Sequence, residues 1–328
     1  MEQFKKFMQS DFDELITDKV EDVEVIPTGS YSLDISIGPG GIPKGKFSLV
    51  YGPESSAKTT LSLGICREAL KQGDSVLFID VENQLDLKYS KDIIGASFDE
   101  NKFILVQPEL AEDAFKIAER GIESGEFGLV VMDSIAALAP EKEKKDDFED
   151  ANVGLISRML GKFFRRQAYP VRKNNVAVLF TNQVRDTIGS YVSTYSVPGG
   201  HALKHYCSLI VMLSKGVKIE VKKNIIGLNV KFSVKKNKIG GIPFAGFTIP
   251  VMFGMGVDSY LDLLTFASQL DIISRRGSFY YYGDAKLGQG SFDASKTLME
   301  NKEILDEILK ECYNMVNPEL AMRKENEE

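Results

Sequence analysis

The sequence predicts an α/β protein built on a doubly wound, mostly parallel sheet, and three observations lead there. From about residue 46, short apolar runs that read as buried strands alternate with helical stretches, the signature of parallel βαβ units. Several of those strands end in polar or acidic residues, as in "SVLFID" and "GLVVMD". After about residue 206 the rhythm changes, and "CSLIVMLS", "GLNVKFSVKKNK" and "FTIPVMF" follow one another with no helix between them, which predicts antiparallel additions to the sheet.

Taken in order, "KFSLVY" is the first buried strand. "TTLSLGICREALKQ" follows as a helix stopped by Gly73. "SVLFID" and "KFILVQ" are the next strands, then a helix over about 111–124, then "GLVVMD". A long helix covers about 154–168 and leads to the apolar strand "VAVLFTNQ". Beyond about 257 a small mixed segment closes with the helix "NKEILDEILKECYNMV", and the tail "RKENEE" is expected to be disordered. At the other end, Phe4, Phe7, Met8, Phe12, Leu15 and Ile16 form an apolar stripe at helical spacing, free to pack on its own domain or on a neighbour.

Bulk properties narrow the classes. The 328 residues, 43% hydrophobic and 27% charged, are ordinary for a soluble globular chain large enough to bury a sizeable core. No apolar run reaches membrane-span length, and "MEQFKKFMQS" lacks a signal-peptide core. Cys66, Cys207 and Cys312 form no metal or disulfide pattern, which points to a reduced, cytoplasmic setting. The net charge of −7 argues against nucleic-acid binding, which favours basic chains, unless a local basic patch overrides that balance.

The chemistry is concentrated at "YGPESSAKTT". A phosphate-binding loop runs G-x-x-x-x-G-K-[ST] between a strand and a helix. Here Gly52, Lys58 and Thr59 keep their places, while Ala57 stands where the second glycine is expected. Residues Gly52, Pro53, Glu54, Ser55, Ser56, Ala57, Lys58, Thr59 and Thr60 would cradle the phosphates with backbone N–H groups. Lys58 would reach the outer phosphates and Thr59 would ligate Mg²⁺. If the Ala57 backbone needs positive φ, alanine costs about 1–2 kcal/mol there, which tunes the site rather than abolishing it. Downstream, "GLVVMDS" ends a strand on Asp133, the arrangement of a second Mg²⁺-shell ligand. "FIDVEN" carries Asp80 and Glu82; Glu82 is either the general base for an attacking water or a solvated loop acid. His201 and His205, spaced i, i+4, lack a carboxylate partner and are not read as a metal pair.

"IPTGSYSLD", "GPESSAKTTL", "FIDVENQLD", "VVMDSIAAL", "TNQVRDTIG", "GGHALKHY" and "VKKNKIG" occur in the order and spacing of the RecA family of DNA recombinases, and the resemblance covers about residues 24–290. The size and trimmed ends resemble a bacteriophage or otherwise divergent version, which would place the protein in a bacterial host cytoplasm. The resemblance implies a RecA-type P-loop core over 25–256, with an N-terminal helix and oligomerisation segment over 1–24. A small C-terminal α/β domain over 257–320 and the tail 321–328 would complete the chain. It further implies a DNA-dependent ATPase, with ATP and Mg²⁺ as cofactors, that polymerises on single-stranded DNA as a helical filament and exchanges strands with a homologous duplex. Single-strand-binding and loader proteins would be further partners, and no membrane is involved.

Carried onto this chain, the resemblance assigns Lys58, Thr59 and Asp133 to phosphate and Mg²⁺, and Glu82 to catalysis. Asp86 and Tyr89 fall around the adenine, Tyr89 by stacking, and Gln183 senses the γ-phosphate. Lys236 and Lys238 reach a neighbour's ATP, as an arginine finger does. Two DNA loops follow, about 141–153 and 184–200. Val153 and Ile188 match apolar wedges between base triplets, and Arg185 can contact phosphate. Gly199, Gly200 and His201 close the second loop, where glycine lets the backbone approach the DNA. Tyr191 and Tyr195 either stack on bases or pack on protein. Arg158 and Arg165 on the intervening helix would project to phosphates, with Lys162, Arg166, Arg172 and Lys173 adding positive charge. Departures from the family pattern are Ala57, His205 in place of a phenylalanine, and a very short acidic tail. A nucleotide-gated filament protein with little hydrolysis, because of Ala57, is the alternative; a ring helicase or regulatory ATPase sharing only the core fold is disfavoured by the "KKNK" pair and the second loop.

Overall fold

The computed structural model describes residues 23–145, 154–186, 195–196, 200–241 and 245–327. Its centre is a nine-stranded sheet in the order β13-β12-β11-β10-β3-β7-β6-β4-β5. The chain enters through β1 (Val25–Ile26), α1 (Tyr31–Ile37) and β2 (Ile42–Pro43), and then forms the central strand β3 (Phe47–Gly52). From there it alternates: α2 (Lys58–Lys71), β4 (Val76–Asp80), α3 (Leu87–Ile94), β5 (Phe103–Val106), α4 (Ala111–Ser124) and β6 (Leu129–Asp133). The short α5 (Glu141–Lys145), the long α6 (Leu155–Lys173) and β7 (Ala177–Gln183) follow. A two-residue ribbon, β8 (Arg185–Asp186) with β9 (Tyr195–Ser196), precedes α7 (Gly200–Tyr206).

β10 (Leu209–Val221) then returns parallel to β3, and β11 (Asn224–Asn237), β12 (Thr248–Met252) and β13 (Gly256–Val257) extend the sheet antiparallel, as the unbroken run of strands predicts. The rest comprises α8 (Ser259–Gln269), the meander β14 (Ile273–Arg276), β15 (Phe279–Tyr282) and β16 (Ala285–Gln289), and helices α9 (Ser291–Glu300), α10 (Lys302–Val316) and α11 (Pro318–Glu327).

Alternation along each central strand divides the core. Val50, Leu129, Val131, Ala177 and Leu179 face α2, while Phe47, Leu49, Val130, Met132, Val178 and Phe180 face α4 and α6. Aromatic rings lock the second layer: Phe47 meets Phe164 edge-on at 4.9 Å, and Phe164 stacks on Tyr206 at 4.9 Å. Those contacts hold α6 and α7 together under the exposed basic face of α6.

Three local expectations change. The first loop, expected from about 141, opens with the helix α5. The long helix runs on to Lys173 through Pro170, whose missing N–H costs one helical bond, while Asn174 N still donates to Pro170 O (2.9 Å). The tail is helical through Glu327 rather than disordered. Residues 1–22, which carry the N-terminal stripe, lie outside the described residues.

A third apolar cluster joins Leu261, Leu264, Phe266, Leu298 and Ile308 to Ile35 of α1. A buried polar clasp reinforces it. Asp262 accepts hydrogen bonds from Ser30 Oγ (2.8 Å), Ser32 N (2.9 Å) and Ser32 Oγ (2.7 Å). Burial is the largest influence on this carboxyl and pushes it up to about 6 against those hydrogen bonds, with Asp258 adding to the rise. A folded pKa above the unfolded value stabilises fully below the unfolded pKa, and that contribution is lost as pH rises through the folded one. The difference in thermal midpoint between the wild type and Asp262→Asn is therefore expected to shrink in the wild type's disfavour between pH about 4 and about 6.5. A difference that stays flat across that window would contradict a raised Asp262 pKa.

Candidate active site

Parallel strands bring their carboxyl ends to one edge of a sheet, where ligands of open α/β sheets bind. Register sets the site: Gly52 lies opposite Gln183 and Asp80 opposite Asp133, so the ends of β3, β7, β6 and β4 meet. Gly52 has no room for a side chain, since a Cβ would fall 2.3 Å from Leu213 O. The loop then turns through two left-handed residues, Ser55 (φ 59°) and Ala57 (φ 63°), into α2. Ala57 is the N-cap residue and offers no side-chain cap, so the first N–H groups of α2 face outward as an anion nest. Lys58, almost fully buried, folds back to donate to Pro53 O (2.9 Å) and Gly52 O (3.3 Å). Burial lowers its pKa, opposed by Asp133, Glu82 and Glu54.

The acidic side is equally ordered. Thr59 Oγ1 donates to Asp133 Oδ2 (2.6 Å), and Thr181 Oγ1 donates to Asp133 Oδ1. Burial raises the Asp133 pKa, the two threonine hydroxyls lower it, and Glu82 and Asp80 add to the rise. Glu82 Oε1 accepts from Ser134 Oγ (2.6 Å) and from Gln183 Nε2 (3.0 Å). Asp80 Oδ2 accepts from Leu85 N (2.8 Å) and Gln107 Nε2 (2.9 Å), which fixes the loop carrying Glu82.

Two clefts sharing Thr59, Glu82 and Asp133 run along this edge. One, of about 210 Å³, is lined by residues 54–60 with Glu82, Asp133 and Gln183. The other, of about 260 Å³, adds Asp80, Gln84, Leu85, Asp86 and Tyr89. Asp86 caps α3 by accepting from Lys88 N (3.0 Å), and the Tyr89 hydroxyl pairs with Thr60 Oγ1 at 2.9 Å. The uncapped helix start and the hydroxyl–carboxylate pair of Thr59 and Asp133 fit a polyphosphate with a hard divalent cation, which takes oxygen ligands.

Other candidates fall elsewhere. Neither Lys236 nor Lys238 lines either cleft. Lys236 Nζ instead caps the end of α7, donating to Lys204 O (2.6 Å) and His205 O (3.0 Å), and its pKa is lowered by burial and then by Lys238. Arg158 and Arg165 are exposed on α6 beside Lys162, Arg172 and Lys173. Arg166 is exposed too, but pairs with Glu119 at 3.3 Å. Gly200 (φ 70°) opens α7 so close to α6 that a Cβ would lie 3.0 Å from Ser157 Oγ, and His201 is exposed beside it. Val153, Ile188, Tyr191 and Gly199 lie outside the described residues, and of Arg185 and Tyr195 only the backbone pairing in the ribbon is described.

The residue pattern missed Thr181, Ser134 and Gln107. A hydroxyl inside the apolar strand "VAVLFTNQ" was the available signal for Thr181. It also passed over the turn after β12, where Phe253 and Met255 are exposed. Gly256 brings that turn against Ile93 of α3 and Thr60 of α2.

Residues 2–258 match the RecA N-terminal domain family and residues 261–317 the RecA C-terminal domain family. The chain is 40% identical over 300 residues to Protein RecA of Campylobacter lari, covering 91% of this chain and 86% of that one. It is 38% identical over 318 residues to Protein RecA of Phytoplasma mali, covering 95% and 92%. The crystal structure of the RadB recombinase shares the fold, with a TM-score of 0.54 at 22% identity over 71% of this chain and 98% of that one. With both family domains matched in order around a phosphate-loop site at the carboxyl edge of its sheet, this chain belongs to the RecA family of recombinases, which are DNA-dependent ATPases.

Proposed function

We propose that the two clefts bind ATP, with its phosphates on the α2 N-terminus and its base beside Asp86 and Tyr89, and that occupancy controls the DNA loop beyond β7. One contact carries this reading: the Gln183 amide rests on Glu82, 3.0 Å away, at the cleft. Gln183 is the last residue of β7 and is followed within two residues by the ribbon β8–β9, which places its amide next to the start of the DNA loop. Lys58 exchanges its two loop carbonyls for the outer phosphates. Thr59 and Asp133 would hold Mg²⁺, which when bound neutralises charge on the phosphates. Glu82, held by Ser134, orients and deprotonates the attacking water.

Lys236 and Lys238, remote from their own clefts, act on the ATP of an adjacent copy in the filament. Removal of Lys236 from the α7 carbonyls ties that step to α7, the helix that follows the second loop. Arg158, Arg165, Arg185, Gly199, Gly200 and His201 contact the DNA backbone, and Val153 and Ile188 wedge between bases. The setting that fits is a bacterial cytoplasm; among the described residues no helix is long and apolar enough to cross a membrane.

The test is single-stranded DNA affinity measured by anisotropy with and without ATP and Mg²⁺. Coupling between sites is typically worth about 5–150-fold, so ATP should tighten DNA binding within that range, and DNA should tighten ATP by the same factor. Equal DNA affinity with and without ATP would overturn the proposed link through Gln183.

A further inference from the structure

β7 is apolar from Ala177 to Phe180 and then places a fully buried hydroxyl, Thr181, before it reaches the site. A buried hydroxyl left without a partner costs about 1–3 kcal/mol. Thr181 finds its partner on the neighbouring strand, where its Oγ1 donates to Asp133 Oδ1. The two residues are neighbours by register, since β6 and β7 run parallel with Met132 opposite Phe180. The second carboxylate oxygen, Oδ2, accepts from Thr59 at 2.6 Å. Thr59 and Asp133 line both clefts, and Thr181 lines neither. One oxygen of Asp133 is thus committed to the protein interior, and the other is turned to the cleft.

We infer that Thr181 is a positioning residue for the cation site, fixing the Asp133 carboxylate with Oδ2 toward Thr59 and thereby setting divalent-cation affinity. This rests on the reading of Asp133 and Thr59 as the cation ligands. The terminal torsion of an aspartate is broad, so a carboxylate at a strand end does not hold one orientation unaided. Threonine suits the task because its branched side chain is stiff about χ1 and sits here in the middle of the sheet. Thr59 cannot replace it, because its hydroxyl lies on the cleft side and is itself a ligand in that reading.

The experiment titrates MgCl₂ against the full chain with a fluorescent ATP analogue, and separately measures analogue affinity in EDTA. Thr181→Val keeps the shape and removes the hydroxyl. Hydrogen-bond partners of metal ligands are commonly worth 10–100-fold in metal affinity, so the Mg²⁺ midpoint should rise about tenfold or more. Affinity in EDTA should stay at the wild-type value, and Thr181→Ser should restore the midpoint. Thr181→Ala, which removes the same hydroxyl with a smaller side chain, should shift it likewise. An unmoved midpoint in Thr181→Val and Thr181→Ala, beside a raised one in Asp133→Asn, would overturn the role of Thr181 and leave the ligand reading standing. An unmoved midpoint in Asp133→Asn would overturn both. A fall in thermal stability with an unmoved midpoint would reduce Thr181 to a packing residue and also overturn the inference.

Discussion

Lys58→Ala is expected to remove the ATP dependence of DNA binding and to lower turnover by about 10²–10³-fold, the usual cost of deleting one preorganised group that meets developing charge. The structure makes this a clean substitution. The side chain is held by the Gly52 and Pro53 carbonyls of its own loop and, among the described residues, donates no hydrogen bond beyond that loop, so its loss is local. The variant should therefore fold, and DNA binding without nucleotide should match the wild type. Anisotropy with and without ATP measures the first effect and phosphate release the second. A Lys58→Ala protein whose DNA affinity still rises with ATP would take Lys58 out of its role.

Glu82→Gln separates hydrolysis from binding. Glutamine keeps an oxygen that can accept from Ser134 and Gln183, so the hydrogen-bonded frame of the site survives. Only the basic oxygen is lost, and general-base catalysis typically contributes about 10²–10⁴-fold. Turnover should fall by that factor while ATP still tightens DNA binding. Unchanged turnover would take Glu82 out of the general-base role. Lost gating with intact turnover would show that its pairing with Gln183 matters more than its basicity.

Much of this site was legible because it depends on residue type at fixed spacing. Gly52, Lys58, Thr59 and Asp133 sit where strand, loop and helix must put them, and the continuous apolar runs marked the buried central strands. What was not legible depended on coordinates. Whether Ala57 needs positive φ is a backbone property, and its value of 63° answers it. The partner of Thr181 lies 48 positions away on a parallel strand, where only register brings the two together. The long helix is expected to end near residue 168, yet the packing of Phe163, Phe164 and Val171 carries α6 past Pro170 to Lys173. Arg166 reads as one more DNA-facing cation until its helical phase turns it to Glu119. Lys236 reads as a free finger, and the free chain parks it on the end of α7.

A phosphate loop with alanine at position 57 drives this DNA-dependent ATPase. The direct test is ATP turnover by the purified chain, with and without single-stranded DNA, beside Ala57→Gly. A left-handed alanine costs about 1–2 kcal/mol, so restoring glycine should change turnover by no more than about thirtyfold. DNA-stimulated turnover is expected in the wild type, with a modest change in the variant. No turnover in the wild type, with recovery in Ala57→Gly, would contradict it and leave a filament protein that reads ATP only as a binding signal.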